Sequence, residues 1–196
     1  MARPFRAALL TAALAVATAG CAAGAAAPSI VATTGVPAPA SPPPEPTACP
    51  TFGVRLNLAS DRLVDVTLAS GPDADTATFR LGPPSPDGSA AGLEPEAILG
   101  AATPPFSYAQ SGSVFDVSGS RFAEIRFIGM TVADPAGRAT FEGVRDQETE
   151  FRALRQLTVY EEAAGVVAWV IGMSGGGCAA LAPGPADTIV LSIEHR

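Results

Sequence analysis

Apolar and polar residues alternate with a period of two along much of this chain, and clusters of Gly, Pro, Asp and Ser break the alternation into short runs. In the run RFAEIRFI, for example, Ala123, Ile125 and Phe127 alternate with charged residues. Successive side chains of a β-strand point to opposite faces of a sheet, so this period predicts half-buried strands. No segment shows a sustained helical stripe. The sequence therefore predicts an all-β domain, a small antiparallel β-sandwich.

Individual strands follow from the same pattern. The run at 166–173 is apolar on both faces, which favours a central strand covered on each side, and residues 188–194 are predicted to form the closing strand. A short strand is predicted around residues 97–98. A turn or short helix is predicted at 146–155, where an acid and an arginine have i,i+4 spacing. The other inward positions are predicted to be Val64, Val66, Leu68, Ala77, Phe79, Leu81, Leu157 and Val159.

The N-terminal residues have the features of a bacterial export signal. Two arginines precede the apolar stretch 7–17, which is too short to span a bilayer. The segment Thr18-Ala19-Gly20-Cys21 has the small residues of a lipobox, and its cysteine stands where lipoproteins carry their lipid. We therefore predict a signal peptide at residues 1–20, lipidation of Cys21 and an anchor on the outer face of the cytoplasmic membrane. Ordinary secretion, with cleavage after Ala19, is the alternative.

Residues 21–47 are predicted to form a disordered tether, which begins with the lipidated Cys21 and is rich in proline and alanine. Seven prolines and a single charged residue lie between positions 22 and 47. A polyproline-like segment of this length reaches roughly 80 Å when fully extended, at about 3.1 Å per residue. Residues 48–196 are long enough for one hydrophobic core and too short for two domains. The predicted order is signal peptide, tether and one β-sandwich.

Three cysteines in an exported chain leave one unpaired, and lipidation of Cys21 accounts for it. Cys49 and Cys178 are then predicted to form a disulfide between the start of the domain and a glycine-rich loop near its end. Free thiols and a metal-bound pair are the alternatives. A metal site is disfavoured because zinc needs three or four protein ligands and the chain has one histidine, His195. We predict no metal and no cofactor.

The balance of charge excludes several classes of function. All twelve basic residues are arginines, and the ten outside the predicted signal peptide face nineteen acids, which gives a mature charge of about −9. Phosphate binding depends on clustered positive charge, so nucleic acid is not a predicted partner. The absence of lysine also excludes a phosphate-binding loop of the GxxxxGK type. The acidic runs at 146–150 and 161–162 are interpreted as solvated surface.

Residues 172–176 match the GxSxG nucleophile elbow, and Asp187 and His195 follow Ser174 in the order of hydrolase triads. Such an elbow lies between a strand and a helix, whereas glycine and proline interrupt the sequence after Ser174. A flexible hairpin loop is therefore the favoured interpretation. A small secreted hydrolase that uses this triad, or a carboxylate pair, is the alternative function.

A recognition surface is the remaining functional candidate. Trp169 lies in the most apolar run and is predicted to belong to the core. Thr158 and Tyr160 fall on the outward register of their strand, and together with Arg121 and Arg126 they form a candidate binding surface. Three aromatic residues around a Gly/Ser turn are candidates for the same surface: Phe106, Tyr108 and Phe115.

The runs FDVSGSRFAEIRFIGM, QLTVYEEAAGVVAWVIGM and TIVLSIEH resemble the AMIN-like domain of actinobacterial lipoproteins, and RLVDVTLASGPDADTATFRLG resembles its opening hairpin. The resemblance covers roughly residues 63–194 and rests most on the valine, tryptophan and isoleucine run with its following glycine. It implies a β-sandwich outside the cytoplasmic membrane and brings no known reaction. AMIN domains proper are targeting modules associated with peptidoglycan or envelope partners. The sequence departs from the family pattern after Met173, where SGGGC replaces a charged turn and another strand.

These observations together predict a non-catalytic lipoprotein of the cell envelope. Its β-sandwich is expected to bind peptidoglycan or an envelope protein, through a sheet face or through strand addition at a sheet edge. The lipid anchor is expected to be its contact with the membrane.

Overall fold

The computed structural model describes Cys49 and residues 52–86, 88, 92–134 and 136–196. The predicted signal peptide, Cys21 and the tether lie outside these residues. In the part of the chain that is described, every regular element is a β-strand, and no helix is long and apolar enough to cross a membrane. Two antiparallel sheets pack together, which confirms the predicted all-β sandwich.

The larger sheet has six strands, which are β1 (Val54–Asn57), β4 (Glu96–Ala101), β7 (Arg121–Ile128), β8 (Asp146–Glu148), β9 (Leu154–Ala163) and β10 (Val166–Met173). They lie in the order β1-β4-β7-β10-β9-β8. The central strand β10 pairs with β7 on one side and β9 on the other, as the run of apolar residues on both faces predicts.

The smaller sheet has four strands in the order β11-β12-β3-β2 and covers one face of the larger sheet. A separate two-stranded hairpin is formed by β5 and β6. The strands concerned are β2 (Leu63–Ser70), β3 (Ala74–Leu81), β5 (Phe106–Ser107), β6 (Val114–Phe115), β11 (Ala179–Pro183) and β12 (Thr188–Glu194).

The hydrophobic core lies between the two sheets and is centred on Trp169, which is fully buried as predicted. Its indole ring contacts Phe79 of the smaller sheet and Phe127 and Phe141, with ring centroids 5.2, 5.7 and 5.5 Å away in edge-on arrangements. Such aromatic pairs add about 0.5–1.5 kcal/mol each to the free energy gained from burial. The aromatic cluster therefore joins the two sheets at the middle of the sandwich.

Most predicted inward positions are confirmed. Ala77, Phe79, Leu81, Ala123, Ile125, Phe127, Leu157 and Val159 are all buried. In β2 the prediction is wrong at Val64, which is half-buried, while Leu63 occupies the core position. The pairing of β2 with β3 shifts between Leu63 and Asp65, and this bulge changes which side chains face inward.

The predicted turn or helix at 146–155 is confirmed only in part, because residues 149–153 form the turn between β8 and β9 and this segment contains no helix. Asp146–Glu148 forms β8, the edge strand that pairs with β9. The strand predicted around residues 97–98 is β4, and the closing strand predicted at 188–194 is β12. Helical spacing of one acid and one arginine contributes only a few tenths of a kcal/mol, so strand pairing along β9 determines the structure here.

The predicted disulfide between Cys49 and Cys178 is present. Cys49 precedes β1 of the larger sheet and Cys178 precedes β11 of the smaller one, so the bond links the two sheets covalently. Its partners are separated by 129 residues. A cross-link that closes so long a loop contributes on the order of 4 kcal/mol by restricting the unfolded chain.

A second link between the sheets is the carboxylate of Asp75 in β3, which is fully buried. Its Oδ2 accepts hydrogen bonds from the backbone amides of Ala153 and Leu154 at 2.6 and 2.9 Å. Its Oδ1 accepts one from Ser70 Oγ at 2.6 Å and lies 2.9 Å from His195 Nε2. Burial alone would raise the pKa of Asp75, but these hydrogen bonds outweigh it and lower the pKa to about 2.

Candidate binding site

The two faces of the larger sheet differ in chemistry. One face contributes to the core, and the outer face carries a network of polar side chains over β7 and β9. Tyr160 donates a hydrogen bond to Glu124 Oε2 at 2.6 Å and accepts one from Arg126 Nη1 at 3.3 Å. Arg126 Nη2 also donates to Glu161 Oε2 at 3.0 Å. We call these four residues the outer network.

Tyr160 owes its position to a β-bulge. Trp169 of β10 pairs with Val159 and the preceding Ala168 pairs with Glu161, which leaves Tyr160 as the extra residue of β9. Bulges of this kind re-aim a side chain and are common beside functional sites. Burial raises the pKa of Tyr160, and its hydrogen bond to Glu124 raises it further. The phenol therefore remains a hydrogen-bond donor at physiological pH.

The β5–β6 hairpin packs on this outer face. The Phe106 ring meets Phe122 of β7 with centroids 5.0 Å apart, and Tyr108 stacks on Phe115 at 4.5 Å. The backbone amide of Ala109 donates to Tyr160 O at 2.9 Å, which ties the hairpin turn to β9. These contacts hold the exposed ring of Tyr108 in a defined place.

A groove of about 390 Å³ lies between the hairpin turn and the strands β8 and β9. We call it the β8–β9 groove. It combines two aromatic rings with charged and hydroxyl groups. Its lining residues are Tyr108, Gln110, Ser111, Arg145, Asp146, Thr158, Val159, Tyr160, Glu161 and Glu162.

A second recess of about 260 Å³ shares Tyr160 with the first. Its walls include Phe106, Pro105 and Val170, and the carboxylate of Glu124 lines it. Because Tyr160 and Glu124 are hydrogen-bonded, the outer network separates the two depressions. The outer face therefore offers two adjoining recesses rather than a flat surface.

Asp146 is the best-supported acid of the β8–β9 groove. Its Oδ1 accepts hydrogen bonds from Thr158 Oγ1 and Gln156 Nε2, both at 2.8 Å. Gln156 in turn accepts a hydrogen bond from the backbone amide of Ser118 at 2.6 Å. Thr158 and Gln156 are buried polar side chains, with 2% and 4% of their surface exposed. Asp146 itself is exposed, so two buried groups orient an acid that solvent and ligand can reach.

Arg145 closes one side of the groove. It forms a two-pronged ion pair with Glu162, at 2.7 and 2.8 Å, and its guanidinium lies 5.3 Å from the centre of the Phe141 ring. The hydrogen bonds with Glu162 raise the pKa of Arg145. This arginine is thereby held against its own neighbours and is not directed at Asp146.

The structure brings three of the four predicted surface residues together and separates the fourth. Arg126, Thr158 and Tyr160 share the outer face of the larger sheet, although Thr158 is buried and acts through Asp146. Arg121 lies at the far end of β7, where it donates to Gly177 O at 2.9 Å and approaches Cys49 Sγ at 3.8 Å. It supports the disulfide end of the sandwich instead of the groove.

Asp146 and Gln110 were not predicted as site residues. Asp146 falls in an acidic run that was interpreted as solvated surface, and its position depends on pairing between β8 and β9. Gln110 Nε2 donates to Glu162 O at 2.9 Å, a contact between segments 52 residues apart. The Gly/Ser turn flanked by aromatic residues was the one local signal that pointed to this region.

The candidate triad does not assemble. Ser174 Oγ donates to Arg152 O at 2.7 Å, and His195 pairs with Asp75. Asp187 precedes β12 and His195 follows it, so the length of a seven-residue strand separates them. At about 3.3 Å per residue that distance is roughly 20 Å, far beyond hydrogen-bond reach. Both ring nitrogens of His195 face oxygens of Asp75 and Pro72, and Ser174 Oγ donates to a backbone carbonyl, so these contacts do not join the three side chains as a triad.

The glycines of the same motif have structural roles. The carbonyl oxygen of Ser118 occupies the space where a Cβ of residue 172 would stand, so a larger residue than Gly172 would displace the chain that crosses β10. The glycines after Ser174 predict a hairpin loop, and this prediction is wrong. It carries the chain from β10 of the larger sheet to β11 of the smaller one.

Among the described residues, no group of three or more His, Cys, Asp or Glu side chains is placed to hold a metal ion. Comparison with protein families, with curated proteins and with solved structures finds no match for this chain. The resemblance to AMIN-like domains therefore stays a prediction. What the site can do has to follow from its geometry.

Proposed function

We propose that this protein is a non-catalytic binding module of the cell envelope, anchored by lipid at Cys21, whose β8–β9 groove holds the cell wall polymer peptidoglycan. The observation that carries the proposal is the groove itself. It is about 390 Å³ in volume, within the range of sites for small ligands, and it lies at the β8 edge of the larger sheet. A polymer that passes over the outer face would place one unit in this groove and another in the recess beyond Tyr160.

Preorganisation supports binding as the task of this surface. Tyr108 is held by its stacking on Phe115, Asp146 by Thr158 and Gln156, and Arg145 by Glu162. Groups that are already oriented lose little conformational entropy when a ligand arrives. These polar groups lie on the exposed outer face and are held in place, although they are not part of the hydrophobic core.

The sequence supports the location. The export signal, the lipobox cysteine and the proline-rich tether would place the sandwich outside the membrane and within reach of the wall. A protein of the envelope is the alternative partner, because β8 is a three-residue edge strand beside the groove. Strand addition there would use backbone groups and depend little on the groove side chains.

A hydrolase is the competing function, and the geometry disfavours it. Asp187 and His195 lie at opposite ends of β12, Ser174 donates to a backbone carbonyl, and Glu161 and Glu162 are each paired with an arginine. Substitution Ser174→Ala is expected to leave wall binding unchanged, since Ser174 belongs to the connection between the sheets. Release of soluble sugar or peptide fragments from the wall by the purified protein would contradict the proposal.

The experiment is co-sedimentation of the purified full chain, kept in mild detergent, with insoluble wall sacculi. We expect saturable pelleting that soluble wall fragments compete away. Tyr108→Ala, which removes an aromatic wall of the groove, should weaken binding. Val114→Ala is the matched control, because Val114 is exposed on the other strand of the same hairpin and does not line the groove. A folded protein that fails to pellet would overturn wall binding and direct the search to protein partners.

A further inference from the structure

We infer that the β8–β9 groove recognises a primary ammonium group, with Asp146 as its anionic anchor and Tyr108 as its aromatic wall. The inference rests on the proposed function and names the ligand chemistry of the same groove. It goes beyond that function because peptidoglycan presents hydroxyl, amide, carboxylate and amine groups, and the groove need use only one of them.

Three carboxylates line the groove, those of Asp146, Glu161 and Glu162. Glu162 is paired with Arg145 and Glu161 with Arg126. These two arginines neutralise two of the three lining carboxylates, and Asp146 is the acid left over. Its hydrogen-bond partners in the described structure, Thr158 and Gln156, are both neutral. The groove therefore has one uncompensated negative charge, which suits a cationic ligand and repels an anionic one.

The hydrogen bonds that Asp146 accepts from the protein use only one of its two oxygens. Both neutral donors, Thr158 Oγ1 and Gln156 Nε2, bond to the same oxygen, Oδ1. An ionised carboxylate has about four acceptor positions on two oxygens, so most of the capacity of Oδ2 remains for a ligand. An ammonium group carries three donors and no acceptor, and it complements an oriented acceptor of this kind.

The groove also has an aromatic wall. Tyr108 lines the groove with Asp146, and its stacking on Phe115 leaves the ring partly exposed. A cation within about 6 Å of such a ring is attracted by the negative face of the ring, in addition to its attraction to a carboxylate. A neutral saccharide would also stack on the ring, but it would gain nothing from the uncompensated charge.

The test compares wild-type sacculi with sacculi whose free amines have been acetylated, and adds Nα-acetyl-lysine amide as a soluble probe. We expect acetylation to weaken co-sedimentation of the full chain. We also expect Asp146→Asn to weaken binding of the soluble amine by about fivefold, the effect of losing one exposed ion pair. High salt should weaken binding in the same way, since the interaction is between charges.

Glu150→Gln is the matched control. It removes the same charge from an exposed position in the turn between β8 and β9 without altering a residue that lines the groove. Tyr108→Leu should weaken amine binding by about threefold through loss of the cation–π contact. Equal effects of Asp146→Asn and Glu150→Gln would show that only the net charge of the protein matters and would overturn the inference.

The failure of this inference and that of wall binding are distinguishable. If the wild-type chain pellets equally with native and acetylated sacculi, the amine is not the recognised group, whereas wall binding stands. Binding of oligosaccharide fragments that salt does not weaken would assign the groove to neutral sugar and also overturn the inference. If sacculi do not bind but the soluble amine does, with loss in Asp146→Asn, the inference stands and the wall is not the ligand source.

Discussion

Two aspartates of this protein are both held by neighbouring hydrogen-bond donors, yet they differ in what remains for a ligand. Asp75 is fully buried between the sheets, and its two oxygens meet four donors. Asp146 is exposed in the β8–β9 groove, and one of its oxygens meets two donors. Both oxygens of Asp75 therefore accept hydrogen bonds from the protein itself, whereas the second oxygen of Asp146 can still accept hydrogen bonds from a ligand.

The partners of the two acids differ in kind as well. Asp75 lies 2.9 Å from Nε2 of His195, whose Nδ1 is 3.2 Å from the carbonyl oxygen of Pro72. Asp146 has two neutral donors. A buried carboxylate whose two oxygens both accept hydrogen bonds from the protein links strands, whereas an exposed carboxylate with one such oxygen is available for binding.

The largest loss of stability is expected when the carboxylate of Asp75 is removed. Asp75→Ala would leave Ser70, His195 and two backbone amides without their acceptor in the interior. Each buried donor that is left without an acceptor costs about 1–3 kcal/mol of folding free energy. The loss should appear as a lower urea midpoint with an unchanged slope.

The control for that substitution is Asp73→Ala, which removes an exposed acid from the preceding turn. We expect it to change the free energy of unfolding by no more than about 0.5 kcal/mol, as surface substitutions usually do. Similar destabilisation by the two variants would show that Asp75 does not link the sheets.

The next largest effect is a dependence of stability on acidic pH. The pKa of Asp75 is about 2 in the folded protein, against 3.8 for an ordinary aspartate. The unfolded chain therefore binds the proton more readily, so the stabilisation is present above about pH 4 and is lost as the pH falls towards 2. A shift of this size corresponds to about 2 kcal/mol. Urea titrations between pH 5 and 2 measure it, and the component should disappear in Asp75→Asn.

The sequence predicted what depends on local alternation and missed what depends on irregular pairing. Ala77, Phe79 and Ile125 were placed correctly because a period of two reports one buried face. The bulge that turns Val64 away from the core has no mark in the sequence. The disulfide was predictable because an odd number of cysteines left one pair inside the domain.

The candidate site was less predictable than the fold. The outward register of β9 identified Thr158 and Tyr160, but it could not show that β8 would cover Thr158 and place Asp146 beside it. The side chains that meet in the groove come from the hairpin, β8 and β9, three segments separated in the sequence. Their meeting follows from tertiary pairing, which single-sequence patterns do not encode.

A smaller loss of stability is expected when one of the buried donors that orient Asp146 is removed. Thr158→Val keeps the shape of the side chain and removes its hydroxyl, which leaves Gln156 and Asp146 each with one partner fewer. The expected loss of stability is about 1 kcal/mol, the net contribution of an ordinary hydrogen bond. Binding of Nα-acetyl-lysine amide should weaken as well, and Thr158→Ser should restore both. Restored stability without restored binding would show that Thr158 does not position Asp146 for the ligand.

The smallest effect on stability is expected for Asp146→Asn, and the same substitution at Asp75 allows a direct comparison of the two acids. The amide oxygen of asparagine can still accept from Thr158 and Gln156, and no cation loses its partner, so the free energy of unfolding should change by no more than about 0.5 kcal/mol. In Asp75→Asn, by contrast, the new amide group would direct its own donors at donors already present, at a cost of several times that amount. Parallel urea denaturation of the two variants therefore applies one chemical change to both acids. Equal destabilisation would make Asp146 a structural residue like Asp75. A loss of stability confined to Asp75→Asn would instead assign the first acid to folding and leave the second free to bind.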